Sequence, residues 1–179
     1  MISTVDYSDL AMFAGNLARD AGKQLMSQFH PLGNQLMTRK GDNPQTPADL
    51  ASNKIILEAI SHSFPSHAVK SEEIDDHPAF FWNYKSDYVW IIDPCDGTIN
   101  YMSGIPLFSV SIALSYKMKV IIGIVYDPYR DEMFCAQQGK GATLNGIPLT
   151  VGQKTNLAEA TFGIDIYHDP DLINTELLT

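Results

Sequence analysis

Apolar residues follow two different spacings along this chain, and the change falls just after the second candidate helix. From Leu10 they recur at Leu10, Phe13, Ala14, Leu17, Ala21, Leu25 and Phe29, the three-and-four step that lays a stripe along one side of a helix. His30-Pro31-Leu32-Gly33 stops that helix, because proline cannot continue it and glycine suits the exit. "TRKGDNPQ" then reads as a polar loop. Thr46-Pro47-Ala48-Asp49 reads as a helix start, with Thr46 as N-cap, Pro47 in the first turn and an acid at the third position. The second helix carries Leu50, Ile56, Leu57 and Ile60 as its apolar positions and ends before Phe64-Pro65.

Beyond it the spacing drops to two. "HAVKS" is a short strand, followed by the acidic, exposed loop "EEIDDHP". "YVWII" (Tyr88–Ile92) is a compact buried strand. "FSVSIALSY" alternates, the chain turns at Lys117-Met118-Lys119, and "VIIGIVY" returns as a hairpin. "EMFCA" is a further strand, Asn145-Gly146 marks a tight turn between short strands, and "ATFGIDIY" is the last strand candidate. Two helices followed by an antiparallel meander predict an α+β domain, a layered helix/antiparallel-sheet sandwich. No repeat, low-complexity tract or linker divides residues 1–179.

Composition narrows the function. The 179 residues suffice for one sizeable core, and 45% hydrophobic with 18% charged residues is ordinary for a globular chain. A net charge of −9 disfavours nucleic acid and anionic membranes as partners, since both need clustered cations. Cys95 and Cys135 lack C-x-x-C spacing and read as reduced thiols, Cys135 in the core. No targeting segment and no window of transmembrane length is apparent, so the expected location is cytoplasmic. His30, His62, His67, His77 and His168 contain no i,i+4 metal pair and read as surface or capping residues. Trp82, Trp90 and the tyrosines read as packing.

The candidate chemistry lies in "YVWIIDPCDGTINY", Tyr88–Tyr101. A strand ending in Asp93 places that acid at a sheet rim, and Pro94 stiffens the turn so that Asp96 can point back beside it. Two neighbouring carboxylates repel unless a proton or a cation intervenes. Oxygen-only ligands select a hard ion such as Mg²⁺. Gly97 allows close backbone approach, and a helix starting at Thr98 would offer free amides to an anion. Carboxylates, cations and an anion site together describe phosphate ester chemistry. D-P-x-D-G alone is an ordinary turn sequence; Glu72-Glu73, after the "HAVKS" strand, adds a second acidic element at the same rim, with Asp75 and Asp76 in solvated loop. An aspartyl nucleophile would need its second Asp two residues on, whereas the spacing here is three. A glycosidase pair leaves the Gly-Thr element unexplained.

"SEE", "WIIDPCDGTINY" and "GKGATLNG", with "KGDNPQTPAD" upstream, resemble the inositol monophosphatase family of Mg²⁺-dependent, lithium-sensitive phosphatases. The similarity runs from about Lys40 to Thr150. It implies an inositol-monophosphatase-like sugar phosphatase fold with two or three Mg²⁺ in the complete site. Glu72 matches the metal-binding glutamate, Asp93 bridges two metals, Asp96 binds the second and meets substrate, and Cys95 contributes its carbonyl. Gly97 and Thr98 hold phosphate through their amides. Thr98 and Asp49 form a hydrogen-bonded pair orienting the nucleophilic water, and Glu72 is counted with them as catalytic. Lys40 supplies positive charge. The implied reaction is in-line attack of a metal-activated water on a small polyol or sugar phosphate, in a homodimer, without a phosphoenzyme.

The family's later portion carries a W-D-x-A motif whose aspartate completes the second metal site, and here neither Trp is followed by Asp. Nothing about Asp165, Asp169 or Asp171 suggests a replacement. The chain therefore reads as the first two-thirds of such a phosphatase, a metal-binding α+β domain lacking the C-terminal α/β half. Its exposed face there should be apolar. A catalytically inert metal- or phosphate-binding module is the alternative. Asn100-Tyr101 fits the inositol-phosphatase-like G-T-x-N-[FY], while fructose bisphosphatase, histidinol phosphatase and nucleotide bisphosphatase activities stay open.

Overall fold

A computed structural model of the chain describes residues 6–33, 38–40, 43–73 and 86–161, with backbone only at 38–40, 43 and 157. Residues 1–149 form one compact unit and 150–179 a second; within the latter the described residues include one 3-10 turn, Leu157–Glu159.

Helix α1 (Ser8–Gln28) buries Ala14, Leu17, Ala18, Ala21 and Leu25, the stripe expected from their spacing. Its small residues permit close approach to the sheet. A Cβ added at Gly22 would stand 2.7 Å from the Tyr126 ring, so only glycine fits there. Helix α2 (Pro47–Ser63) starts in a complete capping box, Thr46 accepting from the helix amides while Asp49 accepts from the Thr46 N–H. Its buried positions are Ala48, Asp49, Ser52, Asn53, Ile56 and Ile60. Leu50, expected in the apolar stripe, is instead 44% exposed, because the face it would have shared is occupied by Asp49, Ser52 and Asn53.

The polar stretch expected to be loop holds a small hairpin, β1 (Thr38–Lys40) paired antiparallel with β2 (Asn43–Gln45). Neither strand has an alternating pattern; backbone pairing alone defines them.

Seven strands form the main sheet in the order β3 to β9. They are β3 (Ala68–Ser71), β4 (Tyr88–Asp96), β5 (Ser109–Tyr116), β6 (Lys119–Asp127), β7 (Glu132–Gln137), β8 (Gly141–Leu144) and β9 (Ile147–Pro148). From β4 onward each strand pairs antiparallel with the next, the expected meander. Strand β3 departs from it and runs parallel to β4, Ala68 opposite Val89. β4 also runs past Ile92, through Pro94, to Asp96. A short helix, α3 (Thr98–Met102), follows it. Of "ATFGIDIY", Ala160 and Thr161 belong to no strand and the rest lies outside the described residues.

The core forms where α1 and α2 cover one face of the sheet. Trp90 and Ile92 from β4, Val110, Ile112 and Leu114 from β5, and Ile122, Ile124 and Tyr126 from β6 face these helices, buried to 7% exposure or less. Each such aliphatic side chain contributes about 1.5–3 kcal/mol. His67 is not a surface or capping residue: its ring stacks on Phe64 and Tyr88, and its Nδ1 accepts from Trp90 Nε1 at 3.1 Å.

Candidate active site

The two aspartates owe their shared orientation to a β-bulge. Asp93 stands opposite Ser111 and Asp96 opposite Ser109, so three steps along β4 span two along β5. Side chains alternate faces along a strand, and a spacing of three would normally send these carboxylates to opposite sides. The extra residue restores parity. Both acids therefore share the face of Ser109 and Ser111, away from the helices, and Asp96 Oδ2 lies 3.5 Å from Ser109 Oγ. Pro94 sits in the bulge, where its missing N–H costs no ladder bond. The turn expected at Pro94 is thus an irregularity inside a continuous strand.

Glu72 arrives from the neighbouring strand. Its N–H donates to the Ile92 carbonyl at 3.0 Å, extending the parallel pairing one residue past β3 and placing Glu72 beside Asp93. Glu72 and Asp93 are hydrogen-bonded through their side chains. Burial, then the charges of Glu72 and Asp96, push the Asp93 carboxyl from 3.8 up to about 8, opposed by the Cys95 N–H. Without a cation, burial and the neighbouring charges thus favour the protonated form of Asp93. The adjacent Glu73 accepts from Gln45 Nε2 of the small hairpin.

Asp49 is fully buried at the first turn of α2 and accepts from both Thr46 groups, N–H and hydroxyl. Thr98 Oγ1 stands 3.1 Å from Asp49 Oδ1 and 2.9 Å from the Cys95 carbonyl. One hydroxyl proton can serve only one of these acceptors at a time. Cys95 itself is buried, and burial with the charges of Asp49 and Asp93 raises its thiol far above the usual range, so it stays uncharged. Gly97 caps α3 with φ 90°; a Cβ there would meet the Leu107 carbonyl at 2.9 Å. Tyr101 anchors α3 by donating to the Leu25 carbonyl at 2.8 Å, and Asn100 Nδ2 holds the following loop at the Leu107 carbonyl, 2.9 Å away. Lys40 lies at the end of β1, opposite Asn43; its side chain lies outside the described residues.

The structure thus brings Glu72 to Asp93, Asp96 to the same face, and Thr98 to Asp49. Among the described residues, no three His, Cys, Asp or Glu side chains are already gathered as a metal cage. The donors that do meet are carboxylate and carbonyl oxygens, the set a hard cation such as Mg²⁺ prefers. An uncompensated cluster that forces a proton onto Asp93 suits such an ion.

The inositol monophosphatase family model matches residues 6–177. The chain belongs to the inositol monophosphatase family. Among relatives of this family member, the Nus factor SuhB of Haemophilus influenzae is 41% identical over 141 residues, 78% of this chain and 51% of that protein. Inositol monophosphatase 1 of Solanum lycopersicum is 33% identical over 167 residues, 93% of this chain and 60% of that protein. The crystal structure of the extragenic suppressor protein SuhB from Bartonella henselae superposes with a TM-score of 0.73 at 31% identity, over 82% of this chain and 55% of that one. This family member spans about half the length of the relatives it matches.

Four polar residues around the site escape a reading by motif: Ser52, Asn53, Ser71 and Gln45. Ser52 Oγ donates to the Pro94 carbonyl at 2.9 Å, and Ser71 Oγ to Asn53 Oδ1 at 2.7 Å. The available signal was the i, i+3, i+4 spacing of Asp49, Ser52 and Asn53, a polar stripe on a helix expected to be apolar there.

Proposed function

We propose that the complete protein is a Mg²⁺-dependent phosphomonoesterase acting on inositol monophosphate or a similar small polyol phosphate, and that this chain holds most of its catalytic residues. The observation that carries the reading is the meeting of Glu72 and Asp93, with Asp96 on the same face, a few residues from the Thr98–Asp49 pair. Glu72, Asp93, Asp96 and the Cys95 carbonyl would hold the cations, and Mg²⁺ bound there would supply positive charge to the phosphoryl oxygens and acidify a water.

The chain's own groups do the positioning. Asp49, locked by two donors from Thr46, orients the Thr98 hydroxyl, whose free lone pair can then receive a hydrogen from an attacking water. Asp93 would release the proton it otherwise favours when a cation is held there. Gly97 lets the backbone at the start of α3 come close to a phosphate, and the proposal keeps Lys40 as a source of positive charge for the substrate on the strength of the family resemblance. Family membership and a relative named for inositol monophosphatase support this substrate class.

The proposal extends to a homodimer, to lithium sensitivity and to no direct nucleic-acid contact, the last supported by the net charge of −9. The second reading is the catalytically inert metal- or phosphate-binding module, since relatives of this chain include proteins named Nus factor SuhB and not for a phosphatase. Phosphate release from inositol 1-phosphate decides between them. Mg²⁺-dependent turnover, lost in Asp93→Asn and inhibited by lithium, supports the phosphatase. Absence of turnover by a full-length version with Mg²⁺ or Mn²⁺ overturns it.

A further inference from the structure

Three segments carry the proposed ligands and the Thr98 hydroxyl, and one helix touches all three. Asp49, Ser52 and Asn53 lie at i, i+3 and i+4 on α2, exposed by 0%, 0% and 6%. Asp49 meets Thr98 at the start of α3. Ser52 Oγ donates to the Pro94 carbonyl inside the β4 bulge at 2.9 Å. Asn53 Oδ1 accepts from Ser71 Oγ at the end of β3 at 2.7 Å, and the same Ser71 oxygen accepts the Glu73 N–H at 3.3 Å.

The two links to Ser52 and Asn53 act at the backbone, not at the carboxylates. A bulge disrupts the strand ladder locally, and Ser52 supplies a donor to its buried carbonyl. That fixes the conformation which turns Asp93 and Asp96 to one face. Asn53 sets the direction of the Ser71 hydroxyl, which leaves a lone pair for the Glu73 N–H and fixes the turn holding Glu72. Neither Ser52 nor Asn53 carries a charge or needs one for this. Buried polar side chains at core positions of a helix otherwise cost stability unless fully satisfied.

We propose that Ser52 and Asn53 are positioning residues, which fix the Asp93/Asp96 bulge and the Glu72 turn relative to one another through the Pro94 carbonyl and Ser71. This rests on the metal-site reading above. It adds to that reading residues which touch neither cation nor substrate.

The test is calorimetric titration of the 179-residue chain with Mn²⁺, run well below each variant's unfolding temperature, beside thermal unfolding in chelator. Ser52→Ala and Asn53→Leu should each weaken Mn²⁺ affinity by about 10–100-fold, the usual size for outer residues that orient ligands. Ser52→Thr and Ser71→Thr, which keep the hydroxyls, should restore it. The Asn53→Leu/Ser71→Ala double variant should be no weaker than the weaker single one, because both break one link. Should Asn53→Leu fail to fold, Ser71→Ala breaks the same link by losing one oxygen. Folded Ser52→Ala and Ser71→Ala proteins that bind Mn²⁺ like the parent would overturn the inference and leave the metal site standing. No Mn²⁺ uptake by the parent chain would overturn both.

Discussion

Thr98 Oγ1 lies 3.1 Å from Asp49 Oδ1, joining residues 49 positions apart. The same buried carboxylate closes the capping box of α2. One acid thus anchors a helix start and orients a hydroxyl of the site. Asp49→Ala should cost about 2–4 kcal/mol, combining a lost cap with orphaned donors. Thr98→Val should cost only about 1 kcal/mol and Thr98→Ser close to nothing. Urea unfolding followed by circular dichroism measures all three, and equal losses for Asp49→Ala and Thr98→Val would contradict the double role.

Asp93 makes the metal-free chain pH-sensitive. Its carboxyl is raised in the fold from 3.8 to about 8, so folding retains a proton that the unfolded chain releases. That contribution is complete below about pH 4 and is lost as pH rises through 8. In chelator, the unfolding temperature should fall over this window. Asp93→Asn cannot ionise, and its midpoint should exceed the parent's at pH 8 while matching it near pH 4. Parallel curves would contradict the crowding of Glu72, Asp93 and Asp96.

His67 works in the other direction. Burial holds its imidazole below the ordinary 6.5, and Nδ1 must stay unprotonated to accept from Trp90. A lowered folded pKa gives stability present above 6.5 and lost as pH falls through the folded value. Among the described residues, the rings of Phe64, Tyr88 and Trp90 face it, and burial is what lowers its pKa. In a Trp82→Phe background, Trp90 emission should change on acidification below the ordinary histidine range. The same titration of His67→Asn should lack that step.

The β5–β6 turn is strained. Lys117 and Met118 have φ 49° and 66°, a left-handed pair without glycine or asparagine. Met118 is 65% exposed, so its side chain does little packing. Met118→Gly should stabilise by about 0.5–1 kcal/mol, the relief of left-handed strain less the added freedom of the unfolded chain. That corresponds to a rise of about 1–4 °C in unfolding temperature. A fall would mean the turn is not strained.

Much of this was legible beforehand because the signals were local. The α2 capping box, the strand alternation through Phe108–Tyr126 and the Asn145-Gly146 turn depend on neighbours a few residues away. The parallel pairing of β3 was not legible, since "HAVKS" says nothing of its partner's direction. The β1–β2 hairpin has no pattern at all. Leu50 was misplaced because apolar spacing ignores a helix face satisfied by hydrogen bonds. The acidic pair could be located but not oriented: a spacing of three implies opposite faces until the bulge against Ser109 and Ser111 is known. His67 shows the same limit, as its stack needs Tyr88 from a distant strand.

Calorimetric Mg²⁺ titrations of the parent chain beside Glu72→Gln, Asp93→Asn and Asp96→Asn test the metal site itself. Asp20→Asn, on the exposed side of α1, serves as the control. The parent and Asp20→Asn should bind alike, and each site variant should lose at least about tenfold in affinity. Undiminished affinity in all three site variants, or no uptake by the parent, would contradict the assignment.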